Sequence, residues 1–420
     1  MPTKSSKQNG GGGSSSSNSS KNIDRNSQNI GNKILQRKAN RCVKPMREMI
    51  PMSAADIDDQ DIAAVVEVLR SGRLSLGPKI EAFEEAISNY VGVRHAVAVS
   101  SGTAALHLIV RALGLGPGDE VLVPSFTFAA SVNVLLYEGI TPVFCDIEDT
   151  TYNLDPARME KCITPKTKAV MAVDVFGHPV DWEAVTHIAA KHQLRVIDDS
   201  CEALGAEYDG RKVGQFGDAA AFAFYANKQI TTGEGGILVT NDSEIARITR
   251  SLRNQGRGEM GSWLEHERLG FNYRMDEMSA ALGLSQLRRI ETFLAKRQHV
   301  ADLYSQRLAS VPGVRTPLVN PRVRMSWFVY VITLDQELDR DDVVETLKKR
   351  DIPLRCYFSP IHLQGYILGR NNCRIGELPV TESIARRTLA LPFHNRLTAS
   401  EVDEVVEALH EAVESLHAKT

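Results

Sequence analysis

The run "LRVIDDSCEALGA", residues 194–206, reads as a strand that ends on two acids and gives way to small residues. Leu194, Val196 and Ile197 supply the apolar run, and Gly205 lies in the small-residue stretch that follows. Adjacent strand residues point to opposite sides, so Asp198 and Asp199 do not share one site. In parallel α/β sheets ligands bind beyond the carboxyl ends of the strands, which makes one of these acids a ligand candidate and leaves the other to cap the next helix.

Working outward, the same kind of run recurs as "HAVAVS" (95–100), "EVLVPS" (120–125), "TPVFCDI" (141–147), "KAVMAVDV" (168–175), "AAFAF" (220–224) and "GILVT" (236–240). Helix-length spacers separate most of them. The pattern predicts an α/β fold built on a mostly parallel, seven-stranded sheet with helices on both faces. Further on, the helical spacing of residues 270–308 predicts a long helix leading out of a large domain, residues 50–296. A smaller C-terminal α/β domain, residues 297–420, follows with an alternating strand "SWFVYVITL" (326–334) and a capped amphipathic helix "TASEVDEVVEALHEAVESL" (398–416). The first 49 residues open on Gly/Ser/Asn low complexity and then turn basic, which predicts a disordered tail.

The bulk numbers exclude several classes. With 49 basic and 52 acidic residues in 420, the net charge of -3 provides no global field for nucleic acid or an anionic membrane. No apolar run reaches a membrane span, and no secretory leader is visible. The six cysteines show neither CxxC pairs nor metal-ligand spacing, which fits reduced thiols in a cytoplasmic protein and no metal site.

Two more stretches carry chemistry. In "VAVSSGTAALHL" (97–108) a strand runs into Ser101, Gly102 and Thr103 at the start of a helix, where free amides and the helix dipole favour an anion such as phosphate. In "FAFYANKQITTGEGG" (222–236) Lys228 follows an apolar strand beside aromatic residues, a setting that favours the neutral, nucleophilic amine. A phosphate turn, a carboxylate and such a lysine together match what pyridoxal phosphate needs.

The order of these motifs with "SGRLSLGPKIEAFEEAISNYVG", "VPSFTFAAS", "LRNQGR", "GFNYRMDEMSAALGLSQL", "YFSPIHLQ" and "LPVTESIARRTLALPFH" resembles the DegT/StrS family of pyridoxal-phosphate-dependent nucleotide-sugar aminotransferases. The resemblance spans about residues 50–416. It implies fold type I, with Lys228 as the Schiff-base lysine and Asp199 as the partner of the ring nitrogen. Gly102 and Thr103 would hold the phosphate, Phe128 would stack on the ring, and Asn272 would reach the phosphate from a second subunit of a homodimer; Phe126 and Phe128 share strand parity, and core packing accounts for one of the two. Arg73, Arg253, Tyr357 and His362 are the substrate candidates, although His362 is equally readable as a packing residue.

Departures from the family pattern fall at Ala223, where many members have a serine that bonds the phosphate, and at Glu202, where a glutamine is common. The implied reaction is a two-stage exchange. L-Glutamate, the implied donor, leaves its amino group on the cofactor, and a keto-sugar nucleotide takes it up while Lys228 moves the proton. Two rivals remain: another sugar or cyclitol reaction on the same scaffold, such as dehydration, and a non-catalytic regulatory homologue. The presence of Lys228 argues against dehydration, because the dehydrating relatives carry histidine there.

Overall fold

The computed structural model describes residues 49–258, 265–369 and 373–417. The expected tail therefore lies almost wholly outside the described residues. All seven runs read above form strands: β1 (His95–Val99), β2 (Glu120–Pro124), β3 (Thr141–Cys145), β4 (Thr167–Val173), β5 (Arg195–Asp199), and, beyond the short hairpin strands β6 (Glu207–Tyr208) and β7 (Arg211–Lys212), β8 (Ala219–Ala223) and β9 (Gly236–Thr240). They make one sheet in the order β1-β9-β8-β5-β4-β2-β3. Only β9 runs against its neighbours. Buried apolar side chains such as Val97, Leu122, Val170, Ile197, Phe222 and Leu238 line both sheet faces, as a doubly covered sheet requires.

Register decides what meets at the carboxyl edge. β4 and β5 pair Val173 with Asp199, β5 and β8 pair Asp199 with Ala221, and β8 and β9 pair Ala223 with Gly236. The ends of β4, β5 and β8 therefore open side by side. The turn after β1 joins them because helix Gly102–Ala112 starts beside Ala223.

A second sheet of three strands has the order β10-β12-β13, from β10 (Val314–Arg315), β12 (Tyr330–Leu334) and β13 (Thr388–Leu391), while β11 (Val323–Arg324) pairs with the β6–β7 hairpin. All five residues of β12 are buried. The alternation expected for it fails because both of its faces are covered. The long helix is also two, Glu277–Leu287 and Ile290–Leu308, and residues 270–274 before it are not helical. Asp276 caps the first of the pair, accepting from the Ser279 amide at 2.9 Å. At the far end Thr398 and Glu401 form the expected reciprocal cap on helix Ala399–His417, with Glu401 Oε2 accepting from the Thr398 amide at 2.8 Å. From Ile50 onward the chain is one compact unit, and residue 296 falls inside helix Ile290–Leu308.

Candidate active site

A cavity of about 460 Å³ opens at the carboxyl edge of the seven-stranded sheet and brings together Gly102, Thr103, Phe128, Asp199, Glu202 and Lys228. On its floor, Ser101 caps helix Gly102–Ala112, its Oγ accepting from the Ala104 amide at 3.1 Å. The amides at this helix start have no intrahelical acceptor and offer an anion site. The turn lies flat against the neighbouring strands. A Cβ on Gly102 would sit 2.7 Å from Ala223 Cβ and 2.9 Å from Cys201 Sγ, and one on Gly236 would collide with the Ser101 carbonyl. Ala223 lines the cavity without bringing a hydroxyl, and the Ser101 hydroxyl is committed to its cap.

Asp199 closes β5 and is 5% exposed. Its Oδ2 accepts from Ser131 Oγ at 2.7 Å and its Oδ1 from the Cys201 amide at 3.2 Å, which fixes the carboxylate toward the cavity. Asp198 occupies the opposite face, accepting from Ser200 Oγ at 2.6 Å and from the Gly214 amide at 2.8 Å. Strand alternation thus separates the two acids as expected. The two phenylalanines of "SFTF" separate as well: Phe126 is fully buried against Phe176 and Phe358, whereas Phe128 is 65% exposed at the cavity.

Lys228 follows β8 in a turn closed by its amide donating to the Tyr225 carbonyl at 3.0 Å. Its side chain is 12% exposed, with Nζ 3.5 Å from Glu202 Oε1 and 3.7 Å from the centre of the Phe328 ring. The other carboxylate oxygen of Glu202 accepts from the Phe176 amide at 2.9 Å. Burial raises the Glu202 carboxyl above its ordinary range, and the Lys228 charge pulls it partly back. At this separation the attraction is about 5 kcal/mol for an effective dielectric near 20. The desolvation cost is several kcal/mol per ion, so the pair is near balance and responds to small changes around it.

Tyr357 lines the cavity, and burial raises its hydroxyl above the ordinary range. Arg253, Arg73 and His362 lie elsewhere. Arg253 donates to Glu84 and to the Ala98 carbonyl, where it clips the end of β1 instead of a substrate. Arg73 is exposed and donates to the Leu76 carbonyl at 2.7 Å. His362 is 1% exposed: Ser125 Oγ accepts its backbone N–H at 3.0 Å and reaches Nδ1 at 2.6 Å, which leaves Nε2 to donate to Glu382 Oε1 at 3.3 Å. It is the packing histidine. His178 is likewise held, by Asn153 and the Pro179 carbonyl, away from the cavity. Asn272 is exposed and bridges Asn254, outside its own chain's cavity.

Among the cavity residues not singled out from the sequence, Phe328 and Asn227 bear most directly on Lys228. Phe328 lies 100 positions beyond Lys228 and read as part of a strand. Asn227, next to Lys228, lines the cavity with a buried Oδ1 that has no protein partner. That orphaned acceptor, the helix start at Gly102, the buried Asp199 and the amine of Lys228 fit a phosphorylated, protonated ring compound with polar substituents.

The profile of the DegT/DnrJ/EryC1/StrS aminotransferase family matches residues 55–410. The chain belongs to this family. It is 40% identical over 369 residues to the GDP-perosamine synthase of Caulobacter vibrioides, covering 87% of this chain and 98% of that protein. The crystal structure of DesV from Streptomyces venezuelae, solved with a ketimine intermediate, superposes with a TM-score of 0.80 at 38% identity, covering 84% of this chain and 94% of that one. For PseC of Helicobacter pylori, an aminotransferase of pseudoaminic acid biosynthesis, the TM-score is 0.83 at 33% identity, covering 88% of this chain and all of that one. Family and fold make the chain a pyridoxal-phosphate-dependent aminotransferase. Among the described residues no helix is long and apolar enough to cross a membrane.

Proposed function

We propose that this chain moves an amino group from L-glutamate to a keto sugar carried on a nucleoside diphosphate, as a homodimer in the cytoplasm, with Lys228 holding the cofactor covalently. The observation that carries the reading is the placement of Lys228 Nζ in one cavity with Asp199 and the Gly102–Thr103 helix start. The GDP-perosamine synthase named above and the dTDP-3-amino-3,4,6-trideoxy-alpha-D-glucose transaminase of Streptomyces venezuelae, 38% identical over 354 residues, support the acceptor class. The cytoplasmic assignment rests on five described cysteines that are all unbridged.

When bound, pyridoxal phosphate supplies an electron sink for cleaving a bond at the amino carbon. The chain supplies the rest. Gly102 and Thr103 would bind the phosphate through amides and a hydroxyl, and Phe128, exposed at the cavity, would pack against the ring. Asp199, oriented by Ser131 and Cys201, would keep a proton on the ring nitrogen. Lys228 Nζ takes and returns the substrate proton, with Glu202 close enough to set its charge. The exposed position of Asn272, away from its own cavity, supports its reaching the phosphate of a second copy.

The test is a purified chain with a visible cofactor band that L-glutamate bleaches and a keto-sugar nucleotide restores. Lys228→Ala should abolish covalent cofactor attachment by intact-mass analysis after borohydride reduction and lower turnover by about 10⁴-fold or more. A band that no amino donor bleaches, or covalent cofactor persisting in Lys228→Ala, would overturn the reading.

A further inference from the structure

Helix Ile290–Leu308 carries a cation that the reaction described above does not use. Arg297 is 3% exposed, and among the described residues no carboxylate forms an ion pair with it. Its hydrogen-bond partners are carbonyls, and its guanidinium lies 5.7 Å from the centre of the Phe393 ring. Nη1 donates to the Trp327 carbonyl at 3.0 Å and the Phe328 carbonyl at 3.2 Å, and Nη2 donates to the Lys228 carbonyl at 3.0 Å. Its Nε has no partner, and burial pulls the guanidinium down to about 10. Burying a guanidinium without a counter-ion is costly, and a Met or Leu of similar volume would fill the space at less cost. What an aliphatic side chain lacks is the planar fork that reaches two loops at once.

Those two loops carry the groups that meet over the reacting amine. One presents Lys228, and the other presents Phe328, whose ring centre is 3.7 Å from Nζ. The second loop is strained: Trp327 sits at φ 54°, a left-handed conformation that bulky side chains rarely adopt. The same helix holds it there, because the Trp327 indole Nε1 donates to Gln298 Oε1 at 2.8 Å, one residue on from Arg297. From the cavity side Phe328 donates its amide to the Phe176 carbonyl at 3.0 Å, and Gln229 Nε2 donates to both Ser326 Oγ at 2.9 Å and the Glu202 carbonyl at 2.5 Å. Close approach is obligatory here. A Cβ on Gly177, at φ 89°, would sit 2.7 Å from Ser326 Oγ and 2.9 Å from the Trp327 amide.

We propose that Arg297 is a positioning residue of the aminotransferase site: its fork ties the Lys228 turn to the Trp327–Phe328 turn and so holds the Phe328 ring against the lysine amine. A ring face held there covers one side of the amine and attracts a cation through its quadrupole. Arg297→Lys keeps a positive charge and removes the fork, so loss of the ring contact is what it reports.

The proposal rests on Lys228 as the reacting amine. Its test reads the reactivity of the Lys228 amine in the full, cofactor-free chain and so stands apart from whether that residue carries the cofactor. Acetic anhydride pulses at one pH, with the Lys228 peptide quantified by mass spectrometry against the other lysine peptides, give its labelling rate. In Arg297→Lys the rate should rise by roughly 2- to 5-fold, Phe328→Leu should give the same rise, and the double variant should give no more. Should Arg297→Lys not yield folded protein, Gln298→Leu loosens the same turn through the Trp327 indole and should move the rate the same way. An unchanged rate in the folded Arg297→Lys or Gln298→Leu variant, with or without a lower melting temperature, or rises that multiply in the double variant, overturns the proposal.

Discussion

Asp199 and Asp198 are adjacent at the end of β5, and the two sides of that strand end are built differently. On the cavity side Asp199 accepts from Ser131 Oγ and the Cys201 amide, alongside Lys228 and the Gly102–Thr103 helix start. On the far side Asp198 is sealed at 0% exposure together with a second buried acid, Asp174, and Ser200 Oγ lies 2.6 Å from both carboxylates. One hydroxyl hydrogen serves one of those contacts, and the other requires a hydrogen on a carboxyl. The far side therefore stores a proton within a closed network. The cavity side instead presents its carboxylate to whatever fills the cavity. Two adjacent acids with similar burial thus differ in what remains for a ligand to do.

The sharpest way to break that contrast is Asp199→Asn. The amide can still accept from Cys201, so the cavity keeps its shape while the charge proposed to hold a proton on the ring nitrogen is gone. We expect turnover to fall by about 10³-fold with cofactor binding retained. A fall of less than about tenfold would mean that the two faces are not functionally distinct. A smaller effect is expected for Glu202→Gln, which keeps an acceptor for the Phe176 amide and removes the anion 3.5 Å from Lys228. Without that anion the amine is held less firmly, so acetylation of Lys228 at one pH in the cofactor-free chain should quicken by roughly tenfold. An unchanged rate would show that Glu202 is already neutral beside the lysine.

The parts of this contrast legible in the sequence lie next to strand ends. Seven strands announce themselves as apolar runs because a doubly covered sheet buries both faces of each. Asp199, Gly102, Thr103 and Lys228 could then be placed because strand register carries them to the same edge. Features set by distant side chains left no local signal. Arg253 was a plausible sugar contact until Glu84, 169 residues earlier, claimed its guanidinium. His362 depends on Ser125 and Glu382, one at the end of β2 and the other in helix Pro379–Arg387. Phe328 reaches Lys228 only because the preceding residue turns at positive φ, which an apolar run of sequence does not reveal. The split of the long helix at Arg288 and Arg289 was hidden in the same way, because helical spacing continues through it.

The stored proton gives the last test, one of stability instead of chemistry. Burial pushes the Asp198 carboxyl up to about 7, opposed by its bonds from Ser200 and the Gly214 amide, and holds Asp174 well above the ordinary range. A carboxyl whose folded pKa is raised keeps a proton that the unfolded chain releases near pH 4. Its contribution to stability is therefore present at low pH, declines as pH rises from about 4 to about 7, and changes little beyond. Asp198→Asn should mimic the protonated acid, since its amide can donate to Ser200 and its oxygen can accept from Gly214. Urea unfolding should then show near wild-type stability at pH 5 and a gain on the order of 1–3 kcal/mol at pH 8, with turnover within about twofold of wild type. Equal pH slopes for variant and wild type between pH 5 and 7 would place the proton elsewhere. A loss of turnover comparable to that of Asp199→Asn would show that the two sides of the strand end act as one site.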